Sequence, residues 1–78
     1  METTIIKVYD STIKKMAKRA RVVMSIDGIF SGGMTKEVYT NDQGIAYVQH
    51  SSTGMATVFI NGKEVGKMKV PGEGHFSI

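Results

Sequence analysis

Most of the chain alternates apolar and polar residues with a period of two, which is the pattern of half-buried β-strands. Two turn signals stand between the central runs. Asn41-Asp42-Gln43-Gly44 combines side chains that bond their own backbone with a glycine, and Asn61-Gly62 predicts a two-residue type I′ hairpin. The strand-like runs occupy residues 3–9, 34–40, 44–49, 55–60, 63–70 and, briefly, 75–78.

Residues 13–26 fit two interpretations. As a helix, they would begin after Asp10 or Ser11 and carry an apolar stripe through Ile13, Met16, Ala17 and Ala20. As a strand, residues 20–26 alternate, and residues 12–19 become a basic loop. A short helix that runs into a strand combines the two.

The chain therefore predicts an all-β fold, with six or seven short strands and a turn signal every 8–12 residues. We expect a single β-sandwich domain over residues 1–78, with a short helix near residues 11–20 as the open element. A chain of this size buries only about 60 % of the surface that its unfolded form exposes, so the core must be thin.

Four segments carry a resemblance to a known family: Val8-Tyr9-Asp10-Ser11, Ala20-Arg21-Val22-Val23-Met24, the stretch from Val38 to Val48, and the stretch from Gly54 to Gly62. Over roughly residues 5–70 the chain resembles the carboxypeptidase regulatory-like (transthyretin-like or prealbumin-like) β-sandwich domains and, more loosely, the bacterial Ig-like domains. Residues 14–19 depart from the short Gly/Pro turn usual there, and Ala56 stands where the family usually has tyrosine. The resemblance implies a non-catalytic accessory or adhesion-type module without a common active site.

In the register of that resemblance, the strands over residues 44–49 and 55–60 form a central hairpin, and both of its faces are apolar. Ala46, Val48, Ala56, Val58 and Ile60 point inward, so the opposite face needs a cover. That cover would be a helix over residues 13–20, the glycine-rich connection with Ile29 and Phe30, or a partner chain. In the last case an interface, including one for self-association, would consist of Ile45, Tyr47, Met55 and Phe59.

The formal net charge is +3, and most of the excess lies in one segment. This segment is a solvated surface or a contact for a polyanion such as nucleic acid. No aromatic residue lies among its cations, so a stacking surface for single strands is poorly supported. The basic residues are Lys14, Lys15, Lys18, Arg19 and Arg21.

The sequence offers no apparatus for catalysis, cofactor binding or metal binding. Cysteine is absent, and His50 and His75 lack the spacing of zinc ligands. The carboxylates are scattered over turns and strands, and no nucleophile-elbow motif occurs. We therefore expect no enzyme and no cofactor.

The chain shows neither an apolar run of about 20 residues nor a signal peptide, so we expect no membrane contact and a cytoplasmic location, unless this is a domain of a secreted protein. The expected function is a non-enzymatic binding or assembly module with a protein partner or self-association. The alternative is a small α+β protein that binds nucleic acid or another polyanion through a basic helix.

Overall fold

The computed structural model describes residues 1–27 and 33–78, and the described residues form nine β-strands and no helix. Six strands have five residues or more, and three are two-residue pairings at sheet edges. The strands are β1 (Glu2–Asp10), β2 (Lys15–Met16), β3 (Arg21–Ile26), β4 (Gly33–Met34), β5 (Val38–Tyr39), β6 (Ile45–His50), β7 (Gly54–Ile60), β8 (Lys63–Val70) and β9 (Glu73–Ser77).

The strands form two sheets. In sheet A, β1 lies in the middle, and β9 runs parallel to it on one side. On the other side, β6 and β2 both pair antiparallel with β1, β6 along residues 2–7 and β2 along residues 9–10. In sheet B, β3 and β7 lie in the middle, with β8 outside β7 and the short β4 and β5 both along the free side of β3. β1 and β3 therefore lie in opposite sheets, whereas the first two strands of an immunoglobulin constant domain share one sheet.

The hydrophobic core lies between the two sheets. Successive side chains of a strand point to opposite faces, so every second residue of the central strands enters the core. Within residues 1–27 and 33–78 the core contains no fully buried aromatic ring and is built from small and medium side chains, as the length of the chain predicts. Its buried residues are Ile6, Val8, Ala17, Ala20, Val22, Met24, Ile26, Ala46, Val48, Ala56, Val58, Ile60 and Val70.

The predicted all-β sandwich is confirmed, and the helix near residues 11–20 is wrong. Residues 11–14 form the loop of a β1–β2 hairpin, and the amide of Ala17 donates to the carbonyl of Val8 in the neighbouring strand. Lys14 and Arg19 have φ angles of 55°, which a right-handed helix does not permit. Pairing of β2 with β1 therefore overrides the local helical pattern. The strand interpretation of residues 20–26 is confirmed by β3.

The predicted strand over residues 34–40 is interrupted. Its ends pair with β3 as β4 and β5, but residues 35–37 leave the sheet. Thr35 bonds Met24 of β3 there in place of regular strand pairing. Its amide donates to the carbonyl of Met24, and its hydroxyl accepts from the Met24 amide.

Both predicted turns are present. The side-chain oxygen of Asn41 accepts from the amides of Gln43 and Ile45, and Gly44 has a φ of 74°. Asn61 and Gly62 have φ angles of 54° and 82°, as a type I′ turn requires. Ile29 and Phe30, expected as a cover for the central strands, lie outside the described residues.

The central strands β6 and β7 do not form a hairpin with each other. β6 pairs with β1 in sheet A, and β7 pairs with β3 and β8 in sheet B. The residues between them cross from one sheet to the other, so the inward faces of the two strands cover each other across the core.

Candidate functional site

The four residues of the predicted interface do not share one surface. Ala46 and Val48 are buried, so Ile45 and Tyr47 lie on the outer face of sheet A. Ala56 and Val58 are buried on the opposite side of the core, so Met55 and Phe59 lie on the outer face of sheet B.

The apolar outer residues of sheet A are cross-strand neighbours. Ile5 lies opposite Tyr47 between β1 and β6, and Tyr9 lies opposite Met16 between β1 and β2. Directly opposed residues of an antiparallel pair project from the same side of the sheet and contact each other. Tyr47 leaves 54 % of its surface exposed. We call this surface the sheet A outer face, and it consists of Ile5, Tyr9, Met16, Ile45 and Tyr47.

Charged groups on β9 and on β1 lie beside the apolar residues of this face. His75 Nε2 lies 2.8 Å from Glu73 Oε2 and donates to it, and Lys7 Nζ lies 3.4 Å from the same oxygen. The hydrogen bond from His75 and the charge of Lys7 lower the pKa of the Glu73 carboxyl below its ordinary value of 4.5. Glu73 and His75 thus lie on β9 at one limit of the sheet A outer face, whereas Lys7 lies within it, directly opposite Ile45.

The outer face of sheet B is more polar. Val23 lies opposite Phe59, and both side chains are half-buried. Lys69 lies opposite Met55, Lys67 opposite Thr57, and Glu64 opposite Phe59, so charges surround the apolar pair. Between the two outer faces, that of sheet A is the better candidate for an apolar contact.

β6 also presents backbone groups at the edge of sheet A. The amide of Val8 donates to the carbonyl of Gly44, and bonding alternates along a strand, so the groups of Ala46 and Val48 face β1. The groups of Ile45, Tyr47 and Gln49 therefore face away. Asn41 bonds those of Ile45, while no partner for those of Tyr47 and Gln49 occurs within residues 1–27 and 33–78.

β6 itself carries none of the sequence features that protect such an edge in natural proteins. It contains no lysine or other charged residue, no proline and no bulge. The β8 edge of sheet B, in contrast, carries Lys63, Lys67 and Lys69 and a register shift between Val58 and Phe59 of its neighbour. The period-two pattern located β6 correctly, but only the pairing shows that its second side is open.

The basic residues surround the β1–β2 hairpin. Lys14, Lys15, Lys18 and Arg19 are exposed and form no ion pair with any described residue. Lys15, Lys18 and Arg19 line one shallow depression of about 390 Å³. Arg21 differs from these residues, because it is half-buried and its guanidinium lies 3.8 Å from the carboxylate of Glu37.

His50 is buried and fully bonded, a feature that the sequence interpretation missed when it ended the strand at residue 49. Its Nδ1 lies 2.7 Å from the carbonyl oxygen of Ser52, and its Nε2 lies 2.7 Å from the hydroxyl of Thr4. The alternation of Ala46 and Val48 continues to His50 and was the signal that it points inward. With both nitrogens engaged, His50 has none left for a metal ion.

No group of three or more histidine, cysteine or acidic side chains suited to a metal ion occurs in the described part of the chain. Nor do residues 1–27 and 33–78 contain a helix of the length and apolarity needed to cross a membrane.

Comparison with known proteins returned no match: no family model fits the chain, and neither the curated proteins nor the solved structures contain a significant relative.

Proposed function

We propose that the chain is a non-enzymatic binding or assembly module that contacts a protein through the sheet A outer face. The observation that carries this proposal is the alignment of Ile5, Tyr9, Met16, Ile45 and Tyr47 on one exposed face beside the open edge of β6.

The chemistry of this face suits a protein partner. Tyrosine and methionine are enriched at the centres of protein interfaces, where an aromatic ring supplies a large contact area at a low cost in conformational entropy. Removal of apolar surface from water contributes about 25 cal/mol of favourable free energy per Å². Ile5 lies opposite Tyr47 and Met16 lies opposite Tyr9, so each exposed tyrosine ring has an apolar cross-strand neighbour.

The resemblance to prealbumin-like domains supports the same class of function, since it implies an accessory or adhesion-type module. It assigns no residue a role, and the chain matches no family model. The proposal therefore rests on the surface, and the cytoplasmic location stays a prediction.

Site-specific photo-crosslinking in the source cell tests the proposal. With p-benzoylphenylalanine at Tyr47, irradiation is expected to produce a discrete covalent adduct that mass spectrometry identifies. Met55 provides the matched control, because it is a similarly exposed apolar residue on the opposite outer face. No adduct at position 47, or the same adducts at both positions, would contradict the proposal.

A polyanion contact is the second candidate, and it rests on the exposed cations Lys14, Lys15, Lys18 and Arg19. It needs no basic helix, which the described residues do not contain. Binding to duplex DNA would weaken steeply with salt, with a log–log slope of about −0.9 for each phosphate neutralised. The Lys14→Ala, Lys15→Ala, Lys18→Ala triple variant should make that slope less negative. Identical gel mobility of the wild-type chain with and without duplex at low salt would contradict this candidate function.

A further inference from the structure

We propose that the protein partner is a second copy of this chain, bound by antiparallel pairing of β6 with β6 of the other copy across a two-fold axis. This inference rests on the proposed function and names its partner, and it places the contact at the β6 edge of the sheet A outer face, where Tyr47 lies. The two copies of sheet A would then form one continuous sheet, with both β6 strands at its centre.

The open backbone groups fix the register of this pairing. Asn41 already bonds the backbone of Ile45, so the available donors and acceptors are those of Tyr47 and Gln49. When the axis passes beside Val48, Tyr47 of each copy lies opposite Gln49 of the other. The two residues of such a pair exchange both of their hydrogen bonds. The contact therefore satisfies every open group of both residues in both copies.

The side chains of β6 fit an identical partner. β6 has no Asp, Glu, Lys or Arg, so antiparallel pairing with itself places no like charges opposite each other. On the outer surface, each Tyr47 ring lies against Gln49 of the other copy and diagonally from the other Tyr47. The β8 edge would instead bring its own lysines together, which disfavours pairing of that edge with itself.

The distribution of charge on the whole domain favours the antiparallel arrangement. Each copy carries a net charge of +3, with most of the excess in residues 14–21. The bonds from Val8 to Gly44 and from Ala17 to Val8 place that segment beside the Ile45 end of β6. Antiparallel pairing sends the two Ile45 ends in opposite directions, so the two basic segments lie at opposite ends of the dimer and repel each other least.

Sedimentation over a wide range of concentrations, with two matched proline variants, tests the pairing. Gln49→Pro removes an amide that faces the open edge and keeps the bonds between β6 and β1, because that amide points away from β1. Thr3→Pro is the control, since Thr3 lies directly across the pair from Gln49 and its amide faces the other side of the sheet. Circular dichroism and thermal melts establish that both variants fold.

The wild-type chain and Thr3→Pro should form a dimer. Gln49→Pro should raise the dimer dissociation constant at least about tenfold, because two symmetry-related hydrogen bonds are lost. A monomer at all concentrations, or a dimer that Gln49→Pro leaves unchanged, overturns the inference.

Disulfide formation tests the register independently, because the chain has no cysteine of its own. Tyr47 and Gln49 of the two copies would have Cα atoms about 5.5 Å apart, a separation that a disulfide spans. An equimolar mixture of the Tyr47→Cys and Gln49→Cys variants should yield more covalent dimer than either variant alone. Equal yields overturn the register.

The outcomes separate this inference from the proposed function. A photo-adduct at Tyr47 with a different protein, together with a monomer in sedimentation, overturns the self-pairing and leaves the binding module supported. Absence of any adduct and of any dimer overturns both.

Discussion

The hydroxyl of Thr40 accepts a hydrogen bond from the amide of Ala20 at 2.9 Å, and the amide of Thr40 donates to the carbonyl of Ala20 at 3.0 Å. The same hydroxyl donates to the carbonyl of Ala17 at 2.6 Å, and the carbonyl of Thr40 accepts from the amide of Arg19 at 3.0 Å. Through these hydrogen bonds, the buried Thr40 connects the basic segment to the core.

Replacing Thr40 with valine should lower the free energy of unfolding by about 1–3 kcal/mol. Valine has nearly the same shape but no hydroxyl, so the Ala20 amide and the Ala17 carbonyl lose their partner in a buried setting. Urea unfolding provides the measurement. Thr40→Ser retains the hydroxyl and should be destabilised less than Thr40→Val, and equal losses would contradict the assigned role of the hydrogen bonds.

Gly44→Ala should destabilise the fold by about 2 kcal/mol or more. Gly44 has a φ of 74°, and a Cβ there would lie 2.7 Å from the carbonyl oxygen of Val8 and 2.8 Å from Cβ of Met16. A backbone oxygen held in a sheet cannot move aside. Gly33→Ala is the control, because a Cβ at Gly33 meets no heavy atom within 4 Å. Equal melting temperatures for the two variants would exclude the close approach.

The neutral His50 ring should carry its proton on Nδ1. The Ser52 carbonyl can only accept, so Nδ1 donates to it, and Nε2 accepts from the Thr4 hydroxyl. Long-range ¹H–¹⁵N NMR at a pH where the ring is neutral distinguishes the tautomers, and a proton on Nε2 would contradict the assignment.

Thr4→Val should cost about 1–3 kcal/mol in the free energy of unfolding, because it leaves the buried Nε2 of His50 without a donor. Thr4→Ser keeps the hydroxyl and serves as the control in the same urea titration. Thr4 is fully buried, so water does not replace the lost bond. If Thr4→Val matched the serine variant, the hydrogen bond would contribute nothing measurable.

The Glu73 carboxyl should titrate below pH 4.5, because the hydrogen bond from His75 and the charge of Lys7 lower its pKa. The folded state then binds fewer protons than the unfolded state. The resulting stability is fully present above 4.5 and is lost as the pH falls through the lowered value. A ¹³C titration of the carboxyl should show the midpoint move back toward 4.5 in His75→Ala, while Ser77→Ala, on the same face of β9, leaves it unchanged.

Local sequence patterns predicted correctly the elements whose tertiary contacts favour the same conformation. Asn61-Gly62 imposes a type I′ turn through its own backbone preferences, and the Asn41–Gly44 turn bonds within itself. Residues 13–20 were a different case. Their helical spacing was real, but the end of β1 supplied a strand partner through Val8 and Tyr9, and sheet pairing prevailed.

The candidate surface could be predicted only in part. Alternation identified Ile45 and Tyr47, and also Met55 and Phe59, as outward residues, but it does not state which strands pair. Because β6 and β7 belong to different sheets, the predicted interface divides into two faces on opposite sides of the molecule. The open edge of β6 likewise depends on which strands lie beside it.

The all-β class, the two turns and the inward and outward residues of most strands follow from the order of residues alone, because period-two alternation and turn chemistry act between near neighbours in the chain. The tertiary structure decided which sheet each strand joins, the fate of residues 11–20, the burial of His50 and the exposure of the β6 edge. These depend on contacts such as Thr4 with His50 and Ala20 with Thr40, between residues far apart in the chain, for which a local pattern contains no signal.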